Sequence, residues 1–324
     1  PTGAVAATGS PGKGGLPAEH VFHTFDGFGL PSTSYIVDDS SGRTTSLVSK
    51  TDYTSFKEVS RLQFDADKAP TDVWLTQTYD EITRRPATTT VDRATQTDHQ
   101  LTDRTYGYDP AGNVTRIADT PDAGLTDVQC FSYDYLQRMS EAWTPKSQDC
   151  AQARSASALD GAAPYWNSYT YDKTGNRKSL VSHTAAGDTR STYTYPTDGT
   201  QPHTLRSVTT TAPSGATTTS SYGYDNAGNT LTRDNQTFTY DTEGRSSSVT
   251  DPSGTSTYVY DADGNRLITH DPTGTTLTVG DMELFQAKGS NTVTGTRFYS
   301  HAGQAVAERA GSAGLTWMLS DQHS

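Results

Sequence analysis

The chain has 324 residues, of which 32% are hydrophobic, and carries a net charge of −12 from 25 Lys plus Arg against 37 Asp plus Glu. The acidic balance opposes nucleic-acid binding, and no apolar stretch reaches the ~20 residues that a membrane-spanning helix needs. The 18 Tyr, 9 Phe and 4 Trp argue against disorder, and the 28 Gly supply turns. Together they predict an all-β protein with many short strands and a thin aromatic core.

The first 18 residues are rich in Gly, Pro and Ala, and we predict that they form a flexible lead-in. Gly9–Gly14 faintly resembles a phosphate loop, but the spacing fails and no Ser or Thr follows Lys13, so a linker is the better interpretation. The start at Pro1 shows neither an initiator Met nor a signal peptide, which suggests an internal piece of a longer protein.

From residue 19 onward, an aromatic residue followed by Asp recurs along the chain, with degenerate copies over 19–100 and clear ones over 101–270. A further copy, Tyr195–Pro196, has lost its Asp. The copies are Phe25–Asp26, Phe64–Asp65, Tyr79–Asp80, Tyr108–Asp109, Tyr133–Asp134, Tyr171–Asp172, Tyr224–Asp225, Tyr240–Asp241 and Tyr260–Asp261.

Four copies keep the full pattern YxYDxxGN, which predicts a strand, a turn and a second strand. The two Tyr lie on one face of the first strand, Asp starts the turn by accepting backbone N–H groups, and Gly takes the position with positive φ. Asn closes the turn, so each copy is a hairpin with an aromatic stripe that is marginal alone and stable when stacked on its neighbours. The predicted repeat residues are Tyr106, Tyr108, Asp109, Gly112 and Asn113; Tyr169, Tyr171, Asp172, Gly175 and Asn176; Tyr222, Tyr224, Asp225, Gly228 and Asn229; and Tyr258, Tyr260, Asp261, Gly264 and Asn265.

This pattern resembles the tyrosine-aspartate (YD) repeats of Rhs proteins, of the C components of bacterial toxin complexes and of teneurins. The stretch from Cys130 to Pro145 resembles the actinobacterial polymorphic-toxin branch, and the end of the chain, from Phe298 to Ser324, resembles the start of the family's C-terminal core. The resemblance implies a spiralling β-shell that encloses a toxic domain, released in many members by aspartyl self-cleavage downstream of the repeats. The Asp-Pro-x-Gly sequences at Asp109, Asp251 and Asp271 lack the flanking residues of that cleavage motif and are interpreted as turns.

Cys130 and Cys150 are the two cysteines of the chain. They are either unrelated thiols or a disulfide that closes the segment Phe131–Asp149, and we predict the disulfide. A bridge across this loop would stabilise the fold by roughly 3 kcal/mol and would imply an oxidising, extracytoplasmic setting.

The remaining organisation is simple. Residues 151–163 interrupt the clear repeats as a loop or short helix, and residues 271–324 are predicted to contain longer strands, such as Thr275–Val279 and Thr294–Tyr299, and a frayed end. We therefore predict one continuous, spiralling antiparallel sheet of repeated hairpins over 19–324, as a partial YD-repeat shell or a β-solenoid.

Candidate chemistry is sparse. His20 and His23 lack a third metal ligand, Asp38 and Asp39 lack a substrate-shaped context, and Asp261–Asn265 opens like a calcium loop but lacks the distal Glu. No hydrolase, metalloprotease or dinucleotide motif is present in the sequence. We therefore expect no metal, no cofactor and no catalytic activity.

The resemblance and the composition together favour a structural role. With half its residues in strands, the sheet would cover on the order of 2,600 Å², enough for part of a wall and too little to enclose a domain. We predict a structural segment of a secreted or cell-surface Rhs-type protein. Its partners would be other segments of the same polypeptide or the toxin cargo, and the alternative is a surface module whose tyrosines bind glycan.

Overall fold

The computed structural model describes residues 3–64, 72–94 and 97–319. In these ranges the chain forms strands and turns, and no helix is long and apolar enough to cross a membrane. The contacts divide the chain into two compact units, the first over 1–84, 89–101 and 253–324 and the second over 85–88 and 102–252. The sequence analysis treated residues 19–324 as one segment and predicted no such division.

The strands are short and follow one another closely along the chain. The first eight are β1 (Ala7–Ser10), β2 (Glu19–Phe25), β3 (Pro31–Asp38), β4 (Thr44–Val48), β5 (Lys50–Tyr53), β6 (Val59–Phe64), β7 (Val73–Tyr79) and β8 (Pro86–Arg93). The next twelve are β9 (Gln100–Tyr108), β10 (Val114–Asp119), β11 (Asp127–Tyr133), β12 (Met139–Trp143), β13 (Trp166–Tyr171), β14 (Arg177–Thr184), β15 (Gly187–Thr194), β16 (Ser207–Thr211), β17 (Thr217–Tyr224), β18 (Thr230–Arg233), β19 (Gln236–Tyr240) and β20 (Ser246–Asp251). The last seven are β21 (Gly254–Tyr260), β22 (Arg266–His270), β23 (Gly274–Val279), β24 (Met282–Ala287), β25 (Val293–His301), β26 (Gln304–Ala310) and β27 (Leu315–Trp317).

The first unit contains two antiparallel ladders. Strands β1 to β4 form a separate four-stranded sheet, whereas β21 to β27 pair in sequence order and β27 continues into β5, β6 and β7. Its core draws on both ladders, with Ile36 from the small sheet packed in one cluster with Leu62 and Val306. The longer strands predicted near the end are present as β23 and β25, while the predicted frayed end lies partly outside the described residues.

The predicted flexible lead-in is corrected by the structure. Residues 7–10 form β1 against β2, and Leu16 is buried. Arg297 of β25 is fully buried and donates hydrogen bonds to the carbonyl oxygens of Pro17 at 3.1 Å and Pro11 at 2.9 Å. The segment is therefore held by a buried guanidinium, which its Gly- and Pro-rich composition does not reveal.

The second unit is a run of hairpins. Strands β10 to β20 pair antiparallel in sequence order, and a small core forms where Val128, Cys130 and Trp143 pack together. The excursion between β12 and β13 contains turns and one isolated bridge from Pro145 to Leu159, so residues 151–163 form a loop and no helix. The predicted all-β fold of stacked antiparallel hairpins is confirmed within each unit.

Candidate functional site

The repeat turns are built around the aspartate carboxylate. In the copy at Asp109, Oδ1 accepts the backbone N–H groups of Gly112 at 2.8 Å and Asn113 at 2.9 Å, and Oδ2 accepts the Asn113 side-chain amide at 2.8 Å. The N–H of Asp109 in turn donates to the carbonyl of Asn113 at 3.0 Å. The same closed turn recurs at Asp172–Asn176, Asp225–Asn229 and Asp261–Asn265.

Glycine supplies the one unusual backbone angle of each intact turn. Gly112, Gly175, Gly228 and Gly264 have φ values of +99°, +94°, +90° and +86°, in agreement with the predicted turn position. The positive φ falls on the glycine, and the Asn closes the turn through its side-chain amide. Gly and Asn occur together because the turn needs both the positive φ of the glycine and the side-chain hydrogen bond of the asparagine.

The hydrogen bonds hold the turn carboxylates ionised. The side-chain amide of Asn113 lowers the pKa of Asp109, and the amides of Asn229 and Asn265 do the same for Asp225 and Asp261. For Asp172, desolvation raises the pKa, but hydrogen bonds from Thr174 and Asn176 outweigh it and bring the pKa to about 2. These carboxylates are engaged in their own turns, and at Asp261 both oxygens that would open a calcium loop already accept hydrogen bonds from the turn.

Two degenerate copies replace Asn by Arg, and the arginine reaches further. Arg138 donates Nε to Asp134 at 2.8 Å and also donates to the backbone carbonyl of Asp172 at 3.0 Å, in the turn of the next repeat hairpin. Its guanidinium lies 4.7 Å from the ring centroid of Tyr171. Arg245 repeats the local bond, to Asp241 at 2.8 Å. The arginine thus closes its own turn, and Arg138 also binds the neighbouring one.

A tyrosine at the end of the first strand joins six of the hairpins to an earlier one, a role that the sequence analysis missed; in five of them this tyrosine precedes Asp, and Tyr53 precedes Thr54. The hydroxyl of this tyrosine donates to the carbonyl of the residue that begins the second strand of the preceding hairpin, at 2.7–2.8 Å. The signal in the sequence was that Tyr recurs at a position where Phe would pack equally well, which indicates that the hydroxyl group has a role. The donor–acceptor pairs are Tyr53–Pro31, Tyr79–Val59, Tyr108–Pro86, Tyr133–Val114, Tyr171–Met139 and Tyr240–Thr230.

The tyrosine rings of the repeats are partly buried. Both tyrosines of every intact copy lie between the buried and the exposed classes of side chain. The ring partners that the structure gives them are arginines, such as Arg266 at 5.4 Å from the Tyr258 centroid and Arg233 at 5.9 Å from that of Tyr222. In the second unit, strand alternation places the tyrosines on the face opposite to the Cys130–Trp143 core.

Cys130 and Cys150 are joined in a disulfide, with their Cα atoms 5.5 Å apart. Cys130 is fully buried in β11, so the bond fixes the excursion after β12 against the sheet. Arg154 adds a second attachment, with its guanidinium 3.9 Å from the Trp143 ring centroid and a hydrogen bond to Ser132 Oγ at 2.9 Å.

The residues considered for metal binding do not converge. His20 and His23 lie in β2, and His20 is paired with Asp39 at 2.7 Å. In the part of the chain that the structure describes, no group of three or more His, Cys, Asp and Glu residues is placed to hold a metal ion. The repeat copy at Asp65 and the histidine at 323 lie outside the described residues.

Comparison with known proteins identifies the repeat. Residues 240–276, the hairpins around Tyr240 and Tyr260, match the family model described as RHS Repeat. No curated protein sequence matches the chain.

Solved structures share its fold over most of its length. A Tc holotoxin pore of Photorhabdus luminescens with a TccC3 mutation is 18% identical, with a TM-score of 0.68 over 90% of this chain and 14% of that one. A TcdB2–TccC3–TEV structure is 17% identical, with a TM-score of 0.68 over 94% of this chain and 16% of that one. A TcdB2–TccC3–Cdc42 structure is also 17% identical, with a TM-score of 0.61, and covers 94% of this chain and 15% of that one. The chain therefore spans about one sixth of these relatives, and the likeness concerns the fold.

Proposed function

We propose that the chain, which matches an RHS repeat over residues 240–276 and shares the fold of Tc toxin structures, is a non-catalytic structural segment of a secreted Rhs-type protein and forms part of a β-shell that encloses and delivers a C-terminal toxin or effector. Its partners are then other segments of the same polypeptide and the enclosed cargo. The disulfide supports a location outside the cytoplasm, since disulfide bonds persist in oxidising compartments.

The observation that carries this proposal is the tyrosine hydroxyl bond between successive hairpins. Six such bonds repeat at nearly constant length, and each one fixes a hairpin on the hairpin before it. A repeat whose most regular contact is made to its own neighbour is suited to building an extended wall. The turn carboxylates, which are occupied by their own turns, leave the repeats little to offer as a reaction centre.

The test uses the longer parent protein, whose sequence after Ser324 also decides whether a cleavage motif and a variable domain follow. Under native conditions, the part that follows the repeats should survive a protease, and it should become cleavable once urea unfolds the repeats. The triple variant Tyr108→Phe, Tyr133→Phe and Tyr171→Phe should bring cleavage at lower urea, whereas Tyr135→Phe, on an exposed turn residue, should not. Equal digestion of the downstream part in the native protein and in its isolated form would show that no enclosure exists.

One observation favours the alternative, a glycan-binding surface. A depression of about 480 Å³ in the second unit is lined by Tyr193 and Tyr195, together with Asn176 and Lys178. It lies beside the loop that replaces the tight turn in the copy without Asp. Binding on a glycan array that Tyr195→Ala abolishes would favour this alternative, and an array without binding would exclude it for the glycans tested.

A further inference from the structure

Three polar side chains on adjacent strands of the second unit are hydrogen-bonded in a defined order. Ser168 lies on β13, His183 on β14 and Asp188 on β15. Ser168 Oγ is 2.9 Å from His183 Nε2, and His183 Nδ1 is 2.9 Å from Asp188 Oδ1. His183 and Asp188 are direct partners in the register of β14 and β15, so the sheet itself sets their separation.

This order is the one that activates a serine. With Asp188 accepting the proton on Nδ1, the lone pair of Nε2 faces the Ser168 hydroxyl and can accept its proton. The carboxylate also stabilises the imidazolium formed when the proton moves. No hydrolase motif surrounds Ser168 in the sequence, and the three residues are brought together by strand pairing alone.

The surroundings orient the imidazole and leave the serine accessible. Trp166 stacks on His183, with the ring centroids 3.9 Å apart, and restricts its rotation. The side chain of His183 is 17% exposed and that of Asp188 is 49% exposed, while Ser168 is half-buried. Glu141, the cross-strand neighbour of Ser168, is paired with Arg154 at 3.1 Å, so its negative charge beside the hydroxyl is compensated.

We propose that Ser168 is a nucleophile with esterase reactivity, with His183 as its general base and Asp188 as the carboxylate that orients the histidine. Ser168 Oγ would attack the carbonyl carbon of a small ester while its proton passes to His183 Nε2. The bond to the leaving alcohol then breaks, and the alcohol departs with that proton. Water attacks the acyl-serine and gives a proton to His183, which returns it to Ser168 as the carboxylic acid leaves.

The position of Ser168 limits the substrates. It lies inside β13, which is paired on both sides, so its backbone amide belongs to the sheet ladder and is not free to bind an oxyanion. Loss of such a donor costs roughly 100- to 1,000-fold in rate. The site therefore suits activated esters with good leaving groups, such as aryl acetates, and slow turnover. This reactivity would replace the non-catalytic part of the role proposed above, whereas the formation of a shell stands or falls independently of it.

The experiment uses the whole chain and two probes, a fluorophosphonate that reacts with activated serines and p-nitrophenyl acetate. One phosphonyl group should be found on the peptide that contains Ser168, and Ser168→Ala should remove both this label and the burst of p-nitrophenol. Asp188→Asn should slow labelling about tenfold or more, because the histidine loses its orienting partner.

Ser179→Ala is the matched control, because Ser179 is on the adjacent strand β14 and its Oγ contacts Thr170 Oγ1 at 2.6 Å instead of a histidine. This variant should label at the wild-type rate. Thermal unfolding of every variant would separate a loss of reactivity from a loss of fold. Absence of the label in the folded wild-type chain, or equal labelling after Ser168→Ala, would overturn the proposal and leave the three residues as a cross-strand polar network.

Discussion

In the intact turns and in several degenerate ones, the residue three places after the first turn residue has a positive φ, and the chain provides it in two ways. The intact copies use glycine, whereas Gln137 adopts φ of +61° at the same place in the turn at Asp134, and Lys57 adopts +68° in a turn that starts at Thr54. A side chain in this region carries a steric cost of roughly 1–2 kcal/mol. The turns at Thr54 and Asp134 therefore accept a strain that glycine avoids.

Gly175→Val should destabilise the fold by about 1 kcal/mol or more, as a lowered midpoint of urea unfolding. Nothing lies within 4 Å of the Cβ position at Gly175, so the effect isolates backbone strain. Gly27→Val is the control, because Gly27 has equally open surroundings and no positive φ. A similar loss in both variants would point to a cause other than the turn angle.

His301 makes the first unit sensitive to acid. It is buried in β25, its Nε2 is 2.7 Å from Thr51 Oγ1, and burial, with a smaller contribution from His23, lowers its pKa to about 4. The imidazole of the unfolded chain titrates near 6.5. The folded state therefore has its full stability above that pH and loses stability as the pH falls towards 4, because His301 must then stay neutral in the folded state while it binds a proton in the unfolded state.

The free energy of unfolding should therefore fall by up to roughly 3 kcal/mol between pH 7.5 and pH 4. Urea titrations at several pH values would measure this fall. His301→Gln should flatten that part of the profile, and His270→Gln, on an exposed residue, should leave it unchanged. A wild-type profile that is flat over this range would show that His301 is not the titrating group.

At the scale of the element, the hairpins depend on bonds that cross from one to the next. Tyr171→Phe keeps the ring but removes the hydroxyl bond to the Met139 carbonyl, and should cost about 0.5–1.5 kcal/mol. Tyr135→Phe should be neutral, because that ring is 90% exposed. Denaturant unfolding of both variants would measure the difference in stability. Equal stabilities would show that the Tyr171 hydroxyl does not contribute to the contact between hairpins.

The excursion after β12 depends on its disulfide. Non-reduced protein, unfolded before assay, should titrate no thiol, and reduction should lower stability by roughly 3 kcal/mol on the chain-entropy account. Limited proteolysis after reduction should cut first within residues 144–165. Two titratable thiols in the non-reduced protein would leave the compartment undetermined.

Much of the structure of each hairpin could be predicted from the sequence, because a turn is formed by residues that are close together in the chain. The spacing from Asp109 to Gly112 and Asn113 determines which atoms form the hydrogen bonds of the turn, independently of the rest of the chain. The contact between Tyr171 and Met139 is less accessible, since it depends on the register between hairpins separated by an excursion of variable length. Sequence patterns also do not reveal the contacts among Ser168, His183 and Asp188, because these contacts depend on the register of three adjacent strands.

At the scale of the whole molecule, distant segments of the first unit meet at a buried ion pair. Glu19 Oε1 lies 2.8 Å from Arg297 Nη1, both side chains are fully buried, and the Tyr299 hydroxyl also binds this carboxylate. Burial and this bond raise the pKa of Tyr299 to about 12. No periodicity links residues that are so far apart in the sequence, so sequence patterns could not reveal the pair.

Arg297→Met should destabilise the first unit by about 3–5 kcal/mol, because Glu19 would stay buried with only the more distant Arg309, whose Nη2 is 3.8 Å from its Oε2, as a cationic partner. The double variant with Glu19→Gln should lose less than the sum of the two single losses. Lys50→Met, in the exposed pair with Asp52, should cost less than about 1 kcal/mol. Additive losses in the double variant would show that Glu19 and Arg297 act separately.

The hydroxyl bond between hairpins also bears on how such a chain can change its length. The acceptor is a backbone carbonyl, which every residue has, so a hairpin can bind whichever hairpin precedes it in the chain. Duplication or removal of a complete hairpin recreates the same bond at the new junction, and an insertion such as residues 144–165 is accommodated between strands without altering the pairing on either side. Repeat number can therefore vary by whole hairpins, while a deletion of part of one would break the bonds on both of its sides.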